Sequence, residues 1–201
     1  TQGVSSAASD VYKRQGLWVS ILLPIHPPQL PLLSLLGAVA TLDAIRTLTG
    51  LHAGIKWPND LLLQNRKVAG LLVETISRPG QSSLALVGLG LNLSQQTSDF
   101  PEDLQKKAIS LKQAGGHSIP RARALAAFLE CLAHRLAQSP TQIVADVRSS
   151  LTQLGRGITV RSAGETLVGT AEMLDDAGHL HLRLASGEVR VLSSGESDFP
   201  A

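Results

Sequence analysis

The sequence predicts an α/β fold of the α+β kind: a mixed, mostly antiparallel sheet backed by helices, followed by a small β-barrel. Three observations predict it. Apolar residues recur at helical spacing over residues 32–48 and 121–136, with a shorter stretch after Ser139-Pro140. Strand-length runs elsewhere break at turn signals, above all Pro58-Asn59-Asp60 and Gln64-Asn65-Arg66. From Gly155 onward the pattern becomes short alternating runs separated by Gly-containing turns. A chain of 201 residues is long enough for one full domain and a small appendage.

Taken in order, residues 1–15 are Ser/Ala-rich and show neither period, so they read as a lead-in outside the folded domain. Residues 17–23 read as a buried strand and the Pro-rich stretch 26–31 as a loop. The first helix carries Leu33, Leu36, Val39, Ala40, Ala44 and Leu48 on one stripe, with Gly50 at its C-cap. A short strand at 53–57 meets a fixed elbow at Pro58-Asn59-Asp60, and residues 61–73 form a hairpin. Residues 82–93 read as a strand whose Gly88 and Gly90 admit close approach by a backbone or a ligand. Gly88-Leu89-Gly90 is no dinucleotide fingerprint, because no third glycine and no helix opening follow. Pro120 is expected at the first position of a helix whose stripe is Leu125, Phe128, Leu129, Leu132 and Leu136. A last helix starts at Ser139-Pro140 and runs to about Leu151. Barrel strands are expected at 158–161, 166–174, 179–184 and 189–192.

Composition excludes several function classes. Eighteen basic residues against sixteen acidic give a net charge of +2, too balanced for a nucleic-acid backbone, so no DNA partner is expected. Cys131 is the single cysteine and lies in an apolar helical pattern, which implies a buried, inert thiol and no internal disulfide. The apolar run 16–25 after Lys13-Arg14 imitates a signal peptide, but no cleavage site follows and four prolines crowd its exit. No apolar run reaches the roughly 20 residues a membrane span needs. A cytoplasmic protein without membrane contact is expected. The six histidines show no metal-ligand spacing, His179 and His181 alternate along an exposed strand, and no structural zinc is expected.

The most informative stretch is KWPNDLLLQNRKVAGLLVET, residues 56–75. Lys56, Asp60 and Lys67 flank an otherwise oily segment, and a hairpin that needed only burial would not require them. Taken one by one, each also has a plain structural reading. Lys67 would be a solvated lysine at a hairpin start, and Lys56 with Asp60 a surface ion pair. Asn59 would hold a turn, Trp57 would be core and Asn92 a strand-end cap. Together with VGLGLNL at residues 87–93, however, the stretch resembles the signature of biotin protein ligases. One matching block is Lys56-Trp57-Pro58-Asn59-Asp60, and the other is Arg66-Lys67-Val68-Ala69-Gly70-Leu71-Leu72-Val73-Glu74. The resemblance runs from about Gly16 to the closing Ser194-Gly195-Glu196.

What this resemblance implies is specific. It implies a class II synthetase-like catalytic domain over 16–152 and an SH3-like barrel over 153–201. The reaction it implies joins biotin to ATP, as MgATP, giving biotinyl-5′-AMP and pyrophosphate. A lysine of the biotin carboxyl carrier domain of a biotin-dependent carboxylase then attacks. Lys67 would meet the biotin carboxylate and the phosphate, with Asp60 orienting a lysine or the incoming amine. Gly70, Leu72, Gly88 and Gly90 would form the biotin pocket, and Lys56, Asn59, Asn92 and Glu196 the nucleotide side, with Mg2+ carried by ATP. The family pairs through edge strands, so a homodimer is implied. No helix-turn-helix precedes the catalytic part, so repressor activity is not. The family's Gly/Arg-rich loop and Ser-Thr-Asn segment do not occur before Leu17, so a chain incomplete at its N-terminus is expected. The alternatives are an impaired fragment that keeps the fold and its dimerisation surface, or a lipoate-ligase relative. The Trp-Pro-Asn-Asp block and the C-terminal barrel favour biotin.

Overall fold

The structure, a computed structural model, describes residues 15–24, 32–76 and 84–199. The expected loop at 26–31 and residues 82–83 lie outside them. Strand β1 (Gly16–Pro24) leads to helix α1 (Leu33–Thr49), then to β2 (Gly54–Lys56), β3 (Asp60–Leu63), β4 (Arg66–Ile76) and β5 (Leu84–Asn92). Short turns join β2 through β4, and a hairpin can only pair its strands antiparallel. The sheet order is β1-β5-β4-β3-β2 and every ladder in it is antiparallel. The expected mixed sheet is thus an antiparallel one. Among the described residues parallel pairing survives only as two isolated bridges, Ile55 to Leu151 and Lys67 to Ala108.

Helix α1 covers one face of this sheet. Its N-terminal half is buried nearly all round, and Gly37 lies so close to β4 that a Cβ there would sit 2.5 Å from Leu71 Cδ2. Thr41 Oγ1 donates to Gly37 O, so the one fully buried hydroxyl of the helix is satisfied. Helices α2 (Leu111–Gly115), α3 (Arg121–Leu136) and α4 (Pro140–Ser150) complete the layer. Ser110 and Ser139 cap α2 and α4 by accepting from the Gln113 and Gln142 amides. Arg135 of α3 donates to Asp43 on α1 and to Asp146 on α4, tying three helices at one guanidinium.

Four local expectations need correction. Pro120 is the N-cap of α3 rather than its first helical residue. The buried stripe of α3 is Ala124, Ala127, Phe128 and Leu132, with Leu129 exposed, because small residues let α3 approach α1 closely. Strand β1 is buried only at Gly16 and Leu17. Beyond them its residues alternate between half-buried and exposed, because α1 covers a single face. Cys131 is half-buried, and burial, then Asp43 and Glu130, push its thiol pKa up, which keeps it protonated.

The second unit comprises β6 (Gly157–Ser162), β7 (Glu165–Leu174), β8 (Leu180–Leu184), β9 (Val189–Leu192) and β10 (Glu196–Asp198). Its order is β10-β6-β7-β8-β9, again all antiparallel. Among the described residues the edges β9 and β10 do not pair with each other, so the expected barrel is present as a five-stranded sheet. His179 and His181 do not lie free on an exposed strand. Both rings face the Asp175 carboxylate, at 3.2 and 3.3 Å.

The two units meet at Trp57, which is 1% exposed. Its amide donates to Gln153 Oε1, its indole Nε1 to Gly178 O, and its carbonyl accepts from Ser197 Oγ. Gln153 Nε2 donates to the same Ser197 Oγ. Gly178 is required twice over. It has φ of 84°, and a Cβ there would lie 2.6 Å from Leu35 Cδ1 of α1. Bare backbone at this turn lets the second unit seat on α1.

Candidate functional site

The sheet face turned away from α1 stays open, and register decides what stands on it. One row runs Trp18, Gly90, Gly70, Asp60; the next runs Ser20, Gly88, Leu72. Three glycines therefore floor a cleft of about 1020 Å3, with Trp18 at one side and Asp60 at the other. Leu104, Lys106, Lys107 and Ala108 contribute from the segment after β5, and Glu196, Asp198 and Phe199 from the second unit. All ten residues named from sequence, namely Lys56, Asn59, Asp60, Lys67, Gly70, Leu72, Gly88, Gly90, Asn92 and Glu196, line this one cleft.

Two of the glycines have a steric reason. A Cβ at Gly90 would lie 2.5 Å from the Trp18 ring, so the indole can lie over Gly90 only because that position is bare. A Cβ at Gly70 would lie 3.1 Å from Lys67 Cε and 3.2 Å from its Nζ. Gly88 differs: a Cβ there meets nothing nearer than 3.5 Å, so its glycine supplies open space rather than relief from crowding.

Lys67 reaches the cleft because β4 contains a bulge. Leu61 pairs with Ala69 and Leu62 with Lys67, which leaves Val68 as the extra residue. Val68 and Ala69 are consequently both buried, while Lys67 emerges on the open face beside Leu62. Its Nζ bends over Gly70 to Asp60 Oδ1 at 2.5 Å, and its side chain is 49% exposed. At that exposure the pair contributes at most about 1 kcal/mol to stability. The Lys67 backbone, in contrast, is held firmly. Its amide donates to Lys107 O, and its carbonyl accepts from the Ile109 amide and from Asn92 Nδ2.

Asn92 itself is buried. It donates to Lys67 O and Ile109 O and accepts from Gln95 Nε2, so in this state it pins the strand end rather than presenting its amide to the cleft. Asn59 locks the elbow reciprocally: its Nδ2 donates to Leu71 O while its carbonyl accepts from the Leu71 amide. Lys56 pairs across the units with Asp198 Oδ1 at 2.9 Å. Glu196 stands exposed at the rim, 4.0 Å from Arg161. Leu72 is exposed on the open face.

Sequence reasoning passes over Trp18, Lys106, Lys107, Asp198 and Phe199, all of which line the cleft. A signal was present for Trp18, since strand alternation from Leu17 puts it on the opposite face. Asp198 and Phe199 reach the site only through the folding of the second unit against the first. Among the described residues no group of three or more His, Cys, Asp or Glu is placed to hold a metal ion. No described helix is long and apolar enough to cross a membrane.

The chain is similar to known proteins over most of its length. Residues 11–92 match the biotin/lipoate A/B protein ligase family, and residues 154–199 match the biotin protein ligase C-terminal domain. The chain is 33% identical over 175 residues to a biotin–[acetyl-CoA-carboxylase] ligase of Paracoccus denitrificans, covering 83% of this chain and 72% of that protein. It is 34% identical over 185 residues to the bifunctional ligase/repressor BirA of Bacillus subtilis (strain 168), covering 89% of this chain. The chain spans 57% of the length of that relative. A crystal structure of biotin protein ligase from Aquifex aeolicus matches with a TM-score of 0.80 at 25% identity, over 92% of this chain and 81% of that one. The same enzyme in complex with biotin and ATP matches with a TM-score of 0.78 at 26% identity, over 92% and 78%. By the identity and coverage shared with the Paracoccus protein, this chain belongs to the biotin protein ligase family.

Proposed function

We propose that this cleft attaches biotin to a protein lysine in two steps, and that the acceptor is the biotin carboxyl carrier domain of a biotin-dependent carboxylase. In the first step the biotin carboxylate oxygen bonds to the α-phosphorus of MgATP and pyrophosphate leaves, giving biotinyl-5′-AMP. In the second, the acceptor amine bonds to the biotinyl carbonyl carbon, AMP leaves, and the amine loses a proton. Both steps crowd or release anions, so the protein's part is positioning and charge neutralisation.

The observation that carries this reading is the Lys67 ammonium folded over a glycine floor at 70, 88 and 90. A flat floor with an apolar flank suits biotin's fused rings, with Leu72 and the glycines as the pocket. Lys67 neutralises first the carboxylate and then the phosphate, and Asp60, already on its Nζ, receives it between steps. Lys56 and Asn59 serve the nucleotide side, Glu196 its rim, and Asn92 acts by fixing the Lys67 carbonyl. Mg2+ arrives on ATP.

The reading takes 16–152 as catalytic domain, of class II synthetase type, and 153–201 as an SH3-like domain, with the cytoplasm as its compartment. β1 is the sheet edge that would pair in a homodimer, since the β2 edge is already taken by Leu151 and Thr152. The ligase names of the relatives support the carboxylase partner.

The test is biotin-dependent ATP–pyrophosphate exchange by the purified chain, followed by transfer to an isolated carrier domain. Exchange with biotin supports the reading. A folded chain without exchange overturns it, and exchange driven by lipoate instead reassigns the substrate. Gly70→Ala is expected to slow exchange about tenfold with a melting temperature within about 2 °C of wild type, because the new methyl displaces Lys67 by a few tenths of an ångström. An unchanged rate would mean that the folded-back position of Lys67 is not the working one.

A further inference from the structure

Lys56 is a cation of the nucleotide side, yet it is not free to meet a phosphate. Its Nζ lies 2.9 Å from Oδ1 of Asp198, and its side chain is only 16% exposed. The other oxygen of Asp198 accepts from Arg161 Nη1 at 3.1 Å, and the Arg161 side chain reaches solvent. One carboxylate from β10 therefore sits between a cation deep in the cleft and a cation at its rim. Burial by itself would raise the Asp198 pKa, but the hydrogen bond and charge of Lys56, then those of Arg161, outweigh it and hold the carboxyl below its ordinary 3.8. Asp198 shares the cleft wall with Glu196 and Phe199.

We infer that Asp198 is a positioning residue that holds Lys56 away from incoming nucleotide, so that a polyphosphate must take Lys56 from Asp198 and ATP affinity is set by that exchange. The inference rests on the reading of Lys56 as a nucleotide contact. The exchange leaves no bare charge on either side. Lys56 trades a carboxylate for a phosphate, and Asp198 keeps Arg161. Because Asp198 belongs to the second unit and Lys56 to the first, the same exchange links nucleotide binding to the seating of one unit on the other. The Trp57 contacts to Gly178, Gln153 and Ser197 do not involve Asp198, so the units stay joined when Lys56 lets go.

The measurement is calorimetric titration of an ATP analogue with a methylene bridge between the α- and β-phosphorus, which cannot lose pyrophosphate, into the full chain and four variants with biotin present. These are Asp198→Asn, Asp198→Glu, Lys56→Met and the Lys56→Met/Asp198→Asn double variant. Asp198→Asn is expected to bind the analogue about fivefold more tightly and to leave biotin affinity unchanged, with Asp198→Glu matching wild type. In the Lys56→Met background the Asp198→Asn change is expected to shift analogue affinity less than twofold. Asp198→Ser gives the same readout if the Asn variant misfolds. Weaker or unchanged analogue binding by Asp198→Asn overturns the inference, and so does an equal gain without Lys56. Tighter analogue binding in a chain that shows no biotin-dependent exchange supports the Asp198 role and overturns biotin ligation. A chain that binds no analogue overturns both.

Discussion

Replacing Lys67 by alanine is expected to slow biotin-dependent ATP–pyrophosphate exchange by about 10²- to 10³-fold, the usual effect of removing one group that stabilises charge in a transition state. The fold should hardly notice. The side chain is half exposed, its ion pair with Asp60 contributes little, and the contacts that anchor residue 67 are all made by its backbone. A melting temperature within about 2 °C of wild type is therefore expected, and a larger drop would show that Lys67 is structural. Lys67→Arg should recover little activity, because a planar guanidinium does not follow an oxygen from carboxylate to phosphate as a compact ammonium does. Exchange within threefold of wild type in the alanine variant would remove Lys67 from the chemistry altogether.

Trp57→Ala is expected to be the most damaging single change to stability. It empties a fully buried volume and strips Gly178 O of its donor, and large-to-small changes of this kind cost about 3–5 kcal/mol. For a chain of this size that lowers the melting temperature by roughly 10–15 °C. The loss should fall on the seam between the units, so differential scanning calorimetry should resolve two transitions where wild type shows one. Trp57→Phe keeps most of the volume and loses only the indole donor, so about 1–3 kcal/mol is expected. A single transition within about 2 °C of wild type in Trp57→Ala would show that the units are held together elsewhere.

How far the sequence could be read depended on whether its cause was local. The hairpin of β3 and β4, the first helix with its Gly50 stop and the Ser139-Pro140 start rest on turn and cap chemistry written in adjacent residues, and they are legible. The stretch that gathers the cleft residues is legible for the same reason, since Asp60, Lys67 and Gly70 are brought together by one hairpin. β10 is not, because a three-residue strand reading Glu-Ser-Asp carries no apolar alternation. Nor is the seam at Trp57. Its partners Gln153, Gly178 and Ser197 are about 100 to 140 positions away and look like loop residues until the units are docked. The half-exposed character of β1 and the shifted stripe of α3 depend on which neighbour covers them, which no single stretch records.

The bulge at Val68 makes β4 a strand with a phase slip. Before it and after it, inward and outward positions follow the same two-residue beat, but the two halves keep time half a cycle apart. Lys67 faces the cleft only because it stands on the early side of the slip. A strand of the same length and sequence, paired with β3 without the bulge, would still be an unbroken β-strand. Its beat would be regular, and it would turn Lys67 under the sheet toward α1, where a charge has no partner. The irregularity in the ladder is thus what gives the lysine its address, and the register between β3 and β4 is as much a part of the site as the residues themselves.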